Sequence, residues 1–297
     1  MSAIRTDFRS APGEDRQDFQ RALYRLRQSP LSVVGLVLVL FIVGLALLGP
    51  LIVPFPEDAT GNTRMAQRLT APNETYPMGT DDVGRDVFSR TVLATQTSLL
   101  VGVVVLFIAI LIGVPLGAIS GYLGGGVDEV IMRITDIFLT VPALVLAMAM
   151  AAALGTGMVN AMIAISLVWW PGFARLTRGQ VLSLRELDYI EAARAVGASR
   201  THTIIRHILP NVLSPVIIKA SMDMGFAILV TAGLGYIGVG VQPPTPEWGV
   251  MISEGRSLLR QAWWVSMFPG VAMFIAVLGF NLLGDGLRDV FDPKMRR

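Results

Sequence analysis

Leu31-Ser-Val-Val-Gly-Leu-Val-Leu-Val-Leu-Phe-Ile-Val-Gly-Leu-Ala-Leu-Leu-Gly-Pro-Leu-Ile-Val53 runs for 23 residues without a charge. A helix needs about 20 mainly apolar residues to cross a hydrocarbon core of roughly 30 Å. The stretch therefore reads as a membrane span. Five further segments share its character: Ser98–Ile119, Ile134–Leu154, Met158–Ala174, Ala220–Val241 and Val265–Leu283. Only Asp136 and Asp223 interrupt them with charge, each close to one end. The expected fold is all-α, a polytopic membrane protein with six transmembrane helices.

Composition agrees. Of 297 residues, 53% are apolar and 15% charged, whereas soluble domains carry about 25% charged residues. Cysteine is absent, which excludes disulfides, thiolate metal sites and cysteine nucleophiles. His202 and His207 are the two histidines, five residues apart and so about 140° around an α-helix, which makes no obvious metal pair. No metal or catalytic site is expected. A formal net charge of +2 is too small for a nucleic-acid binder.

Placement of the charges is more informative than their sum. Counting loops alternately from an inner N-terminus puts 18 of the 24 basic residues on one side, and basic loops stay cytoplasmic. Both termini are thus expected inside. Trp263-Trp264 and Trp169-Trp170 fit outer and inner interface belts. The first apolar stretch follows 30 polar residues and lacks a small-residue cleavage site, so it reads as a retained span rather than a signal peptide.

Each span contains or abuts a proline: Pro50, Pro115, Pro142, Pro171, Pro215 and Pro269. Membrane helices tolerate such residues when neighbours re-satisfy the freed carbonyls. Gly113, Gly117 and Gly121 recur every four residues in the second span, a row that lets another helix approach closely. Gly233-Leu-Gly235-Tyr-Ile-Gly238 matches a dinucleotide fingerprint literally, but that motif needs a preceding soluble strand. Inside an apolar run it reads as packing glycines or a locally broken helix.

Between the fourth and fifth spans lies an inner loop, residues 175–212. Leu187, Ile190, Ala193 and Val196 recur at helical spacing until Gly197 breaks the pattern. Ser199 can cap a second helix with Ile204, Ile205 and Ile208 on one face, closed by Leu209-Pro210. A DNA-reading helix–turn–helix would look similar, but Glu186, Asp188 and Glu191 offset its arginines and both ends are tethered to lipid. A solvated loop and a docking platform for a cytoplasmic partner remain, and the structured amphipathic hairpin favours the platform.

Glu191-Ala192-Ala193, Gly197 and Leu209-Pro210 resemble the EAA loop of bacterial ABC importer permeases. His207 to Asn211 is similar to the form found in the peptide-transport branch. Gly79-Thr80-Asp81, Gly84-Arg85-Asp86, Ser89-Arg90 and Gly121-Tyr122-Leu123-Gly124-Gly125 resemble the dipeptide/oligopeptide/nickel importer permeases. Gln242-Pro243-Pro244, Glu247-Trp248-Gly249 and Asn281 to Asp289 with Asp292-Pro293 are similar to the second, C-type permease of the pair. Thr95-Gln96-Thr97 departs from the pattern, which commonly has an arginine before Ser98-Leu99.

The resemblance implies a type I ABC importer permease in the bacterial inner membrane, with a cytoplasmic coupling helix. It implies a second homologous permease, two cytosolic ATPase subunits with their ATP and Mg, and an extracytoplasmic substrate-binding protein. Glu191, Ala192, Ala193, Gly197, Leu209 and Pro210 are the expected ATPase-coupling residues, and Gly113, Gly117 and Gly121 the helix-packing ones. Organisation follows as a cytoplasmic segment 1–30, a first helix 31–53, an outer loop 54–97, a five-helix core 98–283 and a cytoplasmic tail 284–297.

What the chain lacks fits a transport subunit. Lys219 and Lys294 precede Ala220 and Met295, so no Gly-Lys-Ser/Thr phosphate loop exists. Lys219 with Asp223, and Arg133 with Asp136, are spaced to pair as snorkelling interface ions near inner helix ends. With no charge expected at a midplane, a secondary transporter or channel without ATPase partners is the weaker alternative. Peptides are the first substrate expectation. Nickel, glutathione, opines and sugars belong to the same branch.

Overall fold

The computed structural model describes residues 29–291. The first 28 residues and residues 292–297 lie outside that range, with most of the expected N-terminal segment and the Asp292-Pro293 motif. Helix α1 (Pro30–Ile52) is capped by Ser29, whose hydroxyl accepts from the Ser32 amide, with Pro30 at the first helical position. Only 17% of its most apolar window is buried, against 56% for α5 (Met158–Leu184). α1 is a peripheral helix facing lipid, and α5 is central.

Helix α2 (Val87–Leu123) starts eleven residues before the expected span, capped by Asp86, and stops at Gly124 with φ 67°. Hydropathy marks only the part at lipid depth; the outer turns of α2 are polar and buried in protein. α2 packs along α5 through its glycine row. A Cβ on Gly113 would strike the Trp170 carbonyl and Phe173, one on Gly117 the Ala174 carbonyl, and one on Gly121 the Arg178 carbonyl and Val181.

The third segment departs from expectation. It forms α3 (Gly125–Thr140) and α4 (Ala143–Leu154), bent by 94° rather than a single straight span. Val141 is extended, with φ −93° and ψ 134°, as a residue before proline prefers. Five helices are long and apolar enough to span a membrane, or six if this pair counts as one. Pro115, Pro171, Pro215 and Pro269 all lie inside continuous helices.

α5 also outruns its expected end at Ala174 by ten residues. A short hairpin follows, α6 (Asp188–Ala195) and α7 (Arg200–Thr203). A π-helical turn, Ile204–Ile208, joins α7 to α8 (Leu209–Ile237). Leu209-Pro210 therefore does not close the hairpin, because the helical rod runs from Arg200 to Ile237. The wide turn accounts for this. The Leu209 amide reaches back to the Ile204 carbonyl, which accommodates the donor Pro210 lacks.

α8 carries Gly233 and Gly235 in its last turns and ends at Gly238, with φ 89°. The fingerprint-like sequence is thus half packing surface and half helix stop. A short helix α9 (Trp248–Gly255) and the long α10 (Trp264–Phe291) complete the bundle. α10 receives α1 closely: Gly35 faces the Leu282–Leu283 backbone, and Gly286 faces Ser32.

The tryptophan belts are corrected in part. Trp170 is buried, edge-on to Phe138 at 5.7 Å, and Trp264 is buried with its indole donating to the Thr80 carbonyl. Trp263 alone of the outer pair is exposed. A buried carbonyl holds the Trp264 indole and aromatic packing the Trp170 ring.

Gly117→Val places a branched side chain against the α5 backbone, and overpacking typically costs about 1–3 kcal/mol. Gly44→Ala meets nothing within 4 Å and gains helix propensity, about 1 kcal/mol at most. Thermal unfolding in detergent should show a lowered midpoint for the first and an unchanged or raised one for the second.

Candidate functional site

Two polar assemblies cap the bundle at opposite ends, and a third lies between them. At the end where α5 gives way to α6, Asp188 and Glu191 occupy the first turn of α6 and Arg194 its last, each favourable to the helix dipole. Gly197 follows with φ 84°. Its amide donates to the Arg194 carbonyl, and the Ala198 amide donates to the Ala193 carbonyl. This is a Schellman stop, which favours glycine at the left-handed position. Ser199 then caps α7 by accepting from the His202 amide at 3.2 Å.

Ile190 and Ile208 are wholly buried beneath the hairpin, while Glu191, Ala192 and Gly197 are exposed and Val196 is 86% exposed. Ala193 and Leu209 are half-buried, and Pro210 faces outward. The hairpin is tied to the end of α2. Arg194 stacks over the Tyr122 ring at 5.0 Å, and Arg185 donates to the Gly121 carbonyl at 3.0 Å. Arg178, on the extended part of α5, forks onto Asp128 of α3 with two bonds of 2.6 Å.

His202 and His207 stand closer than an α-helical separation places them. Their rings meet edge-on at 5.7 Å because the π turn lies between them. No group of three or more potential metal ligands exists among the described residues. The expected Arg133–Asp136 pair does not form. Arg133 lies 3.6 Å from Glu129, and Asp136 accepts from Arg175 at 2.6 Å.

At the opposite end the outer loop folds onto α9 through charge. Arg85 donates to Asp81 at 2.6 Å and reaches Glu254 at 3.3 Å. Arg90, 1% exposed, donates to the same Glu254 at 3.1 Å. Asp58 receives Arg64 at 2.8 Å and the Asp86 amide at 2.6 Å. Asp86 accepts from both the amide and the hydroxyl of Ser89. Glu247, fully buried, accepts from the Val250 amide and so starts α9. The resemblance had singled out Asp81, Arg85, Asp86, Arg90 and Glu247. It missed Asp58, Arg64 and Glu254, for which sequence spacing gives no signal, since Glu254 lies 164 residues from Arg90.

Burial raises the Asp86 carboxyl above the usual carboxylate range, against the opposing bonds from Ser89. Burial likewise pushes Glu247 up.

The third assembly is the Lys219–Asp223 pair, joined at 2.9 Å. Trp169 of α5 donates its indole N–H to Asp223 at 2.9 Å. Asp223 is fourteen residues from the end of α8, and Trp169 is the twelfth residue of α5. Both residues of the pair lie away from the first and last turns of α8.

Residues 113–297 match the family described as the binding-protein-dependent transport system inner membrane component. Residues 18–72 match the N-terminal transmembrane domain of oligopeptide transport permease C. A probable D,D-dipeptide transport system permease of Escherichia coli is 46% identical over 274 residues, covering 92% of this chain and 91% of that one. The dipeptide transport permease of Alkalihalophilus pseudofirmus is 42% identical, covering 97% and 95%. A glutathione transport permease of Pectobacterium atrosepticum is 41% identical, covering 91% and 89%. Among solved structures, the inward-facing MetNI methionine ABC transporter aligns with a TM-score of 0.54 at 22% identity, covering 66% of this chain and 94% of the other, a likeness of fold. The chain belongs to the binding-protein-dependent transport family, as a multi-pass ABC importer permease. That membership removes the secondary-transporter alternative.

A raised Asp86 pKa means the folded state holds its proton more tightly than the unfolded chain. The stability this contributes is fully present below the unfolded value of about 3.9 and is lost as pH rises through the folded one. Asp86→Asn should therefore gain stability relative to wild type as pH climbs from 4.5 to 8, read from unfolding midpoints. Asp86→Ala should follow the same pH trend, offset downward by the lost cap, about 1 kcal/mol.

Proposed function

We propose that this permease carries short peptides with free charged termini, delivered by an extracytoplasmic binding protein. In this reading two cytosolic ATPase subunits drive it through α6. The exposed face of the hairpin carries the reading: Glu191, Ala192 and Val196 point outward over a buried Ile190. A structured helix that presents an acid and small residues to solvent, yet is anchored to α2 through Tyr122–Arg194 and Arg185–Gly121, suits a groove on a partner.

Residue roles follow from that geometry. Glu191 offers a charge to the ATPase surface, Ala192 and Ala193 allow close approach, and Gly197 makes the turn that presents them. Leu209 and Pro210 join the hairpin to the rod of α8. The hairpin then lies in the cytoplasm with both termini, and the loop network around Glu254 faces the binding protein. ATP and Mg belong to the ATPases.

Assembly with a second homologous permease would enclose the pathway between two bundles. ATP binding would draw the coupling helices together and open the pathway outward. Hydrolysis and product release would reset it. The peptide assignment draws on relatives named for dipeptide, D,D-dipeptide and glutathione transport.

Glu191→Arg reverses the docking charge, and Gly197→Val forces a branched residue to φ 84°. Both should abolish dipeptide uptake in cells expressing the whole importer while leaving membrane insertion at the wild-type level. Normal uptake in both variants would refute α6 as the coupling element.

A further inference from the structure

α5 and α8 meet at their outer ends, where the Gly157 amide donates to the Gly240 carbonyl at 3.1 Å. Counting inward from there at about 1.5 Å per residue, Trp169 lies roughly 17 Å and Asp223 roughly 21 Å deep. A hydrocarbon core is about 30 Å thick. By the same count Lys219 lies roughly 27 Å deep, so Asp223 falls within the span and Lys219 close to its inner edge. Intramembrane charges are costly, face the bundle interior or a watery path, and serve function by default.

Their surroundings are built for the pair. Asp223 has two donors, Lys219 and Trp169. Gly172 on α5 lies beside the lysine tip, where a Cβ would be in ordinary contact with Nζ at 3.5 Å, and the ammonium lies 5.3 Å from the Phe173 ring. Yet the side chains are 29% and 14% exposed. The open side continues along one stripe of α8 through Met222, Phe226 and Leu229, of which Phe226 is 57% exposed. Among the described residues nothing covers that stripe completely.

A half-exposed pair of opposite charges offers two complementary handles. We propose that Lys219 and Asp223 form a binding station on the translocation path for a zwitterionic solute. The lysine ammonium receives the solute's carboxylate, and the aspartate receives its ammonium. When no solute is present the two charges neutralise each other, and Trp169 holds Asp223 in place. The unloaded path thus keeps no free ion in a low-dielectric setting, where a lone one is severely penalised. A solute with only one charge leaves one handle unpaired, so the station favours molecules with both. The identification of the solute as a short peptide rests on the function proposed above; the charge complementarity does not.

The test uses the reconstituted importer with all its subunits and a dipeptide with free termini. Asp223→Asn, Lys219→Gln and the isosteric double variant K219Q/D223N keep shape while removing charge. Each should lower the maximal uptake rate at least about tenfold, the scale of losing one hydrogen bond to a charged group. The half-saturating concentration of loaded binding protein, set at the outer face, should hold. A pair that merely packs would instead let the neutral double variant transport at the wild-type rate, and that result overturns the proposal.

A second arm is independent of transport. The subunit has no cysteine, so Phe226→Cys supplies its one thiol. A water-soluble thiol reagent should modify it, and cargo turnover should slow the reaction. An inert thiol also overturns the proposal. Absence of dipeptide uptake by the wild-type importer would overturn the peptide reading instead, with thiol labelling still reporting on the path.

Discussion

The contact on which the rest of the molecule depends is the glycine row of α2 against the backbone of α5. Lipid tails are as apolar as leucine, so burial from water cannot hold two membrane helices together. Close backbone approach and van der Waals contact must. At Gly113, Gly117 and Gly121 even one added carbon would collide with Trp170, Ala174 or Arg178. This seam fixes the register of α2 against α5. That register puts Tyr122 beneath the α6–α7 hairpin at one end and Arg90 beside Glu254 at the other.

The outer network adds a different kind of constraint. Removing charges from water costs free energy that pairing only partly returns, so the buried ions there are poor evidence of stability. Their value is positional. Arg85 and Arg90 share Glu254, and that sharing binds the outer loop to α9. Trp248 adds an uncharged tie by donating to the Thr91 carbonyl at 3.1 Å. A surface held this way is ordered before any partner meets it, which saves entropy on association.

The sequence made the spans legible because lipid demands a long apolar run, and such runs are few. It did not make helix ends legible, because protein-buried turns of α2 and the charged end of α5 carry no such signature. Prolines mislead in the same way. Pro142 breaks a helix while Pro115, Pro171, Pro215 and Pro269 do not, since neighbours decide whether the freed carbonyl finds a partner. Gly197 was readable as a turn because its left-handed φ favours glycine. The Asp223–Trp169 bond, spanning 54 residues, was not. Nor was the π turn, whose cause is the local clash around Pro210.

That π turn bears on how a push at the hairpin reaches the path. Had Leu209-Pro210 ended the hairpin, as their sequence suggests, α6 and α7 would hang from a flexible joint and lose much of any displacement there. Instead the wide turn at Ile204–Ile208 carries the helix past the proline without a gap. The rod from Arg200 to Ile237 therefore joins the hairpin to the body of the bundle without a break. Lys219 and Asp223 ride on this rod, whereas Trp169 rides on α5, which the glycine seam binds to α2. Any rotation of the rod relative to that seam must stretch or close the bond between Asp223 and Trp169. The Asp223–Trp169 bond is thus a polar contact that relative motion of the two helices must disturb.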